Sequence, residues 1–458
     1  MTDSQILETP QGWPAILLPR TAPGAVRGTG PAEAADLEAA TRAGAFEGLR
    51  RAIRDLGATG TIAAIGASGL RGRGGAGYPA AEKWRAASLN PAAGRVVVAN
   101  GYGADPASRT DQVLLERNPF AVIEGLAIAA FAIGAEEAII AVRTEATSTI
   151  RILEAALAAA AAAGFVGPDV MGAGRHLDVS VRTVHGAYLL GEETILLKAL
   201  EGKRGQPEQR PPHPATSGLR GLPTVVHNVQ TLAAIPWIVR NGPEAFAKIG
   251  AADCPGTILV GVRGPEASGV AEVPLGTPLR AIAALVAPAA AAPVAAGPGR
   301  RVKAVLVGGP SGGILPPDAL DTPYTFDALR AAGAHVGSGS VIVADDRACI
   351  VDLARVLTRY CADEACGKTI PCRIGTRRLS EIGDRLAAGT SRAGDLDLLT
   401  DLAADIIASA LCDHERLATL PLLSGMRYFR AELDEHLERG SCPAGVCHPI
   451  AMAASPTH

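Results

Sequence analysis

Two cysteines in the stretch Cys366-Gly-Lys-Thr-Ile-Pro-Cys372, with a third thiol at Cys412, constrain the fold of this chain more than any other feature. Thiols in a tight turn plus a distant thiol on a helical segment are how proteins hold iron–sulfur clusters, so the chain between them must return to one point. Gly367-Lys368 makes a turn and Pro371 precedes the second thiol, which lets the backbone fold back and aim both sulfurs together. Two thiols alone could equally be buried apolar residues, where unpaired cysteine usually sits. Cys361 offers a further ligand, and a thiolate-rich site suits iron–sulfur or zinc. Three thiols could hold a three-iron cluster, and four a four-iron one.

A chain of 458 residues exceeds one ordinary core, and roughly three domains are expected. The net charge of -3, a pI near 6.3 and the lack of a long basic block argue against nucleic acid as a partner. The mean hydropathy of +0.20 comes largely from alanine. The most apolar span, Val122 to Val142, is interrupted by Glu124, Glu136 and Glu137, whereas a bilayer span needs about 20 mostly apolar residues. It reads as a buried helix and strand, without direct membrane insertion. The amino terminus has no basic region followed by an apolar core, so no secretory signal is expected. Eight cysteines, most towards the carboxyl end, then favour reduced thiols and metal over disulfides. The expected location is cytoplasmic, or peripheral to a membrane through partners.

Along the chain, residues 1–35 lack periodicity and read as an extended arm. Leu37 to Leu56 has helical spacing, Val96 to Val98 reads as a buried strand running into Asn100-Gly101, and Glu154 to Ala163 as an alanine-rich helix. Thr257 to Val262 and Gly269 to Val273 alternate as short strands of a small module. Ala287 to Arg300 reads as a linker, and Val302 to Gly308 as a strand entering Gly309-Pro310-Ser311-Gly312-Gly313. From Ile350 to Leu437 the pattern is helical, and there is no internal repeat. The segment from Gly69 to Trp84 is glycine-dense and carries Arg71, Arg73 and Lys83. Glycines let main-chain amides approach a phosphate and cations neutralise it, although such a loop alone could equally be a structural turn. Its spacing does not fit the standard dinucleotide-binding fingerprint.

Taken with Gly72-Arg-Gly-Gly-Ala-Gly-Tyr-Pro79, the segments Tyr188-Leu-Leu-Gly-Glu-Glu-Thr194, Glu201-Gly-Lys-Arg-Gly-Gln-Pro207, Asn228-Val-Gln-Thr-Leu232, Gly308-Gly-Pro-Ser-Gly-Gly313 and Arg427-Tyr-Phe-Arg430 carry a family resemblance. The chain resembles the flavoprotein (51-kilodalton, F-type) component of respiratory complex I, an NADH-quinone oxidoreductase, with its relatives in NAD-linked hydrogenases and formate dehydrogenases. The resemblance runs from about residue 45 to 440. It implies an α/β fold with a Rossmann-like domain binding FMN and NAD(H) over residues 36–250, and a ubiquitin-like β-grasp (SLBB) module over 251–340. A helical iron–sulfur bundle over 341–440 and a tail over 441–458 would follow. By motif, Gly72, Arg73, Gly74 and Lys83 would line the FMN site, with Asn100, Asp105, Gly191, Glu192, His227, Asn228 and Thr231 completing it. Gly75, Ala76 and Tyr78 would meet the dinucleotide, and Tyr188 and Glu193 would lie near the nicotinamide. Glu193, Tyr188 and Lys83 are the candidate catalytic residues, and Cys366, Cys372 and Cys412 the cluster ligands. A hydride would pass from reduced nicotinamide to flavin, and single electrons onward to an iron–sulfur chain. The implied partners are a thioredoxin-like two-iron protein and an iron–sulfur acceptor.

The sequence departs from the family in three places. Tyr102 and Gly103 stand where two acids are usual, leaving Asp105 alone, and carboxylates near a ribose favour NADH over NADPH. Arg210 and His213 alter the adenine end. Thr369 stands where the second of four cysteines belongs, and a hydroxyl is a poor substitute for thiolate. The outcomes are a three-iron cluster, a four-iron cluster using Cys361 or an external ligand, or no cluster, with a depleted or absent cluster ranked above a rescued four-iron one. Alternative readings are a degenerate scaffold or relay, and a flavoprotein using NADPH or reduced deazaflavin. Cys442-Pro-Ala-Gly-Val-Cys447-His448 could be half of a metal site completed by another chain, or a remnant with unbound thiols. Cys254 and Cys349 are expected to be buried and structural.

Overall fold

The structure, a computed structural model, describes residues 5–18, 35–288 and 301–447 and divides into two compact units. The first comprises Met1–Val260 and Val270–Thr277, the second Gly261–Gly269 and Pro278–His458. Most of the expected arm, most of the linker and the tail beyond Cys447 lie outside the described residues.

The first unit begins with α1 (Leu37–Arg42), α2 (Glu47–Arg51) and α3 (Gly57–Ala67), joined between α2 and α3 by a π-helical stretch at Ala52–Leu56. The single helix expected over Leu37 to Leu56 is therefore broken, because Phe46 adopts a left-handed φ of 65°. Its fully buried ring stacks on Phe165 with centroids 3.9 Å apart, and the Leu49 N–H beyond it donates to Glu124 at 3.0 Å. Aromatic burial and a satisfied N–H outweigh helical continuity here.

There follow α4 (Ala80–Ser88), β1 (Val96–Asn100), α5 (Thr110–Arg117), α6 (Pro119–Ile133), β2 (Glu137–Arg143), α7 (Thr147–Ala162), β3 (Asp178–Val184), α8 (Glu193–Leu200), β4 (Thr224–Asn228) and α9 (Val229–Asn241). The four strands form a wholly parallel sheet in the order β3-β2-β1-β4. Val96, Val97 and Val98 are fully buried, as a continuous apolar run requires in a sheet covered on both faces. The apolar span from Val122 resolves into buried α6 and β2, as its interrupting glutamates suggest. Helices α6 and α9 touch backbone to backbone at Gly125, where a Cβ would lie 2.0 Å from the Leu232 carbonyl oxygen.

Next come β5 (Thr257–Arg263) and β6 (Ser268–Pro274), whose bases belong to the first unit and whose tips belong to the second. At the base, Glu272 accepts the N–H groups of Ile16, Leu17 and Leu18 at 2.6, 2.9 and 3.0 Å and the Thr257 hydroxyl at 2.6 Å.

The second unit adds β7 (Val302–Val307), β8 (Gly313–Leu315) and β9 (Ser340–Asp345). The strand order is β8-β7-β9-β5-β6, with β9 parallel to β5 and antiparallel to β7. Helices α10 (Ile350–Asp363), α11 (Arg377–Ala387), α12 (Asp395–Ser409), α13 (Leu420–Tyr428) and α14 (Arg430–Glu438) follow, with a one-turn helix at Asp413–Leu417 between α12 and α13. Leu379, Ile382 and Leu386 recur at helical spacing along α11 and pack with Ile350, Ala354, Leu422 and Leu433. The mixed α/β fold with a parallel sheet and a helical carboxyl-terminal region is the one expected.

Candidate functional site

In the first unit the chain runs from β1 to β2 and β3 on one side, then returns to place β4 on the other. In open α/β sheets ligands bind at the carboxyl ends of the strands where the order reverses in this way. Asn100 and Asn228 end β1 and β4 and are register partners, so the two amides mark that crevice. Asn228 caps α9 by accepting the Gln230 N–H at 2.9 Å. Asn100 donates to the carbonyls of Leu190 and Gly191, both at 3.5 Å, which holds the turn before α8 over the strand ends.

The glycine loop closes on itself beside them. Gly72 N–H donates to Tyr78 O at 2.8 Å, Ala80 N–H to Leu70 O at 3.0 Å, and Arg71 Nε to Gly77 O at 2.7 Å. Gly75 and Gly77 take φ of 110° and 65°, a region that disfavours side chains. A Cβ on Gly74 would lie 3.4 Å from Asn228 Cβ, which fixes the loop against the end of β4. Gly74, Ala76 and Tyr78 are exposed, Tyr78 at 54%.

Lys83, on the first turns of α4, pairs with Glu193 and donates to Val226 O at 3.2 Å. Arg210 pairs with Glu192 and lies 3.3 Å from Glu193. Glu192 caps α8 by accepting the N–H groups of Thr194 and Ile195, both at 2.9 Å. Two cations and two carboxylates thus interlock at one rim of the crevice, with half-buried Tyr188 in the preceding turn.

Four expected ligands are buried instead. The Arg73 guanidinium is 1% exposed and donates to the carbonyls of Thr257, Arg71 and Pro255 at 2.9, 2.7 and 2.6 Å, so it braces the loop rather than facing a phosphate. Burial pulls its pKa down to about 10. Thr231 is fully buried and accepts the Arg73 N–H at 2.8 Å. His227 is 4% exposed, and its Nε2 accepts from Trp84 Nε1 at 2.8 Å. Burial, then the charge of Lys83, drives its pKa down to about 3, which keeps the ring a neutral acceptor. Asp105 is 2% exposed and caps its own turn by accepting Ala107 N–H at 2.8 Å.

Sequence reasoning passed over Asp111 and Arg143. Asp111 accepts from Asn228 Nδ2 at 2.7 Å and Gln230 Nε2 at 2.9 Å, fixing the β4 terminus, and burial raises its pKa to about 6. Arg143 donates to the carbonyls of Tyr102, Gly103 and Ala104 at 2.9, 2.8 and 3.1 Å and lies 4.7 Å over the Tyr102 ring. Tyr102 is 2% exposed, so the residue standing in an acid's place is turned inward. No local sequence signal marks either partner, since both depend on strand order. The open glycine backbone, the adjacent lysine and the switch-point crevice fit a flat, phosphate-bearing cofactor such as FMN.

In the second unit Cys372 sits in a π-helical turn, Pro371–Thr376, leading into α11, and Cys412 precedes the turn Asp413–Leu417. Burial, then the charges of Glu415, Cys412 and Cys366, push the Cys372 thiol up to about 12. Thr369 Oγ1, whose place the family gives to a cysteine, donates to Glu415 at 2.7 Å, and this carboxylate, 1% exposed, also accepts Leu411 N–H at 2.9 Å. Cys361 is fully buried and turned to the Pro310 carbonyl at 3.5 Å. The donor set fits an iron–sulfur cluster through three thiolates.

Two family descriptions match the chain: the Nuo51 FMN-binding domain over residues 65–237, and the NADH-ubiquinone oxidoreductase-F iron–sulfur binding region over 352–436. An F-type subunit of NADH-quinone oxidoreductase from Rhizobium meliloti (strain 1021) is 38% identical over 401 residues, covering 87% of this chain and 94% of the relative. The HndC subunit of an NADP-reducing hydrogenase from Solidesulfovibrio fructosivorans is 38% identical over 403 residues, 88% of this chain and 81% of the relative. A crystal structure of an NAD+-reducing [NiFe]-hydrogenase in the H2-reduced state aligns with a TM-score of 0.75 at 35% identity, covering 84% of this chain and 63% of that one. This chain thus spans just under two thirds of the hydrogenase chain.

Proposed function

The chain belongs to the F-type flavoprotein family of NADH-quinone oxidoreductases, and from that membership we propose that it is an FMN-dependent electron-input subunit taking hydride from NADH. The observation that carries the reading is the convergence of the glycine loop, Lys83, Glu193 and Asn228 on one switch-point crevice. When bound there, FMN supplies the conversion of a two-electron donor into single electrons, and the protein supplies binding and orientation. Gly72, Gly74 and Gly75 present main chain where side chains would block approach. Lys83 is held by Glu193 and Val226, so its charge is fixed before a ligand arrives. Exposed Tyr78 offers a ring to a base, and Tyr188 and Glu193 line the nicotinamide side. Cys366, Cys372 and Cys412 would hold an iron–sulfur cluster through three thiolates, and such a cluster would supply one-electron transfer towards partner redox proteins. A quinone acceptor would be reached only through such partners. Among the described residues, no helix is long and apolar enough to cross a membrane. The order β8-β7-β9-β5-β6 with β9 parallel to β5 supports reading residues 251–340 as a β-grasp module.

The test is anaerobic titration of the FMN-loaded protein with NADH and NADPH, followed by absorption. Bleaching by NADH is expected. A protein that takes up no flavin on reconstitution, or whose flavin neither nucleotide reduces, would leave it a scaffold in a redox assembly. One observation favours NADPH as a second reading. The loop at residues 102–103 presents no carboxylate to a ribose, because Tyr102 is buried and Gly103 has no side chain. Preferential bleaching by NADPH would establish that donor.

A further inference from the structure

Beyond the flavin and the cluster, a second group of thiols converges in the second unit. We propose that Cys349, His436, Cys442 and Cys447 form a tetrahedral site for one structural zinc ion. One donor atom from each of the four lies within 4.8 Å of every other. Cys349 Sγ is 3.6 Å from His436 Nε2 and 3.5 Å from Cys447 Sγ. With Zn–S bonds of about 2.3 Å, sulfurs at the corners of a tetrahedron lie about 3.8 Å apart, so these spacings already match one ion. They are too close for a cluster, in which each thiolate binds a different iron.

The surroundings prepare each donor. His436 is 2% exposed, and its Nδ1 lies 2.8 Å from the Glu432 carbonyl, which makes Nδ1 the protonated nitrogen and turns the Nε2 lone pair to the thiols. Second partners of this kind orient metal-binding histidines. Glu432 is itself fixed, accepting Ile350 N–H at 3.0 Å and lying 2.7 Å from Lys303. Cys349 caps α10, its sulfur accepting Asp352 N–H at 3.4 Å. Cys442 receives the N–H groups of Ala444, Val446 and Cys447 in a tight turn around Gly445, where φ is 67°. Backbone N–H groups directed at sulfur stabilise thiolate, the form that binds zinc.

Cys349 is buried, as expected, and the two tail cysteines lie beside it and His436 within this chain. His448, expected beside them, lies outside the described residues, and His436 supplies the imidazole. An ion here would tie residues 442–447 and α14 to the amino end of α10, the helix whose far end leads to Cys366.

The experiment uses full-length protein made without a histidine tag. Metal analysis is expected to find about one zinc per chain, as a closed structural site requires. Cys442→Ser and Cys447→Ser should each lose it at unchanged flavin and iron content. Absorption at the zinc edge of the wild type, which needs no variant to fold, should give three sulfur ligands and one nitrogen. Zinc far below one per chain after growth in zinc, zinc retained by both variants, or a disulfide joining any two of the three cysteines on non-reducing peptide mapping would each overturn the proposal. None of these readouts depends on the donor or on flavin reduction.

Discussion

At the scale of single residues, Glu193 and Thr369 carry the most testable weight. Glu193 is held by two cations, Lys83 and Arg210, and contributes no packing to the core. Glu193→Ala should therefore slow flavin reduction by dinucleotide about a hundredfold, because a misplaced donor costs about that much, while leaving thermal stability near wild type. Stopped-flow bleaching checks this, and an unchanged rate would remove Glu193 from the site. Thr369→Cys replaces a hydroxyl with a soft ligand in the turn between Cys366 and Cys372. Electron paramagnetic resonance of the reduced variant should show a four-iron signal, whereas the oxidised wild type should show a three-iron one. Identical spectra would mean that Thr369 does not occupy the fourth corner.

At the scale of elements, α6 is apolar enough to resemble a membrane span, yet it is threaded into a helix pair and carries a buried acid. Gly125→Ala would drive a Cβ into the Leu232 carbonyl. It should destabilise the protein by about 2 kcal/mol in urea unfolding, a typical cost of overpacking. Glu124, 1% exposed, has its pKa raised to about 7 by burial, against the pull of the N–H groups of Phe46, Leu49 and Gly48. A carboxyl whose folded pKa is raised binds its proton more tightly in the native state. Its contribution is thus full below pH 4.5 and lost as pH rises through about 7. Relative to Glu124→Gln, the wild type should lose about 3 kcal/mol of stability across that window. A difference between the two that does not vary with pH would show that Glu124 titrates normally.

At the scale of the whole molecule, the proposed input site lies in one unit and the proposed cluster thiols in the other, and the proposal leaves the terminal acceptor to partners. The isolated flavin-loaded protein should therefore pass electrons from its nucleotide to ferricyanide at steady state and reduce a soluble quinone far more slowly. Equal rates with both acceptors would argue against dependence on partners. Much of this organisation was legible in the sequence, because it is written in local patterns. Valine runs marked strands, helical spacing marked the carboxyl-terminal bundle, and the glycine loop and cysteine spacing marked where a cofactor and a cluster belong. The roles of Arg73, His227, Asp111 and Arg143 were not legible, since each depends on a carbonyl, ring or amide brought near by strand order. Phe46 broke a helix that its spacing promised, because a distant ring offered better burial. The spacing of Cys442 and Cys447 suggested half of a metal site, but Cys349 and His436 look unrelated to them along the chain. Sequence by itself determined which residue types could do chemistry and the elements that carry them. Only the tertiary structure decided which of them meet, because hydrogen bonds and metal coordination act over a few ångströms in space, whatever the separation along the chain.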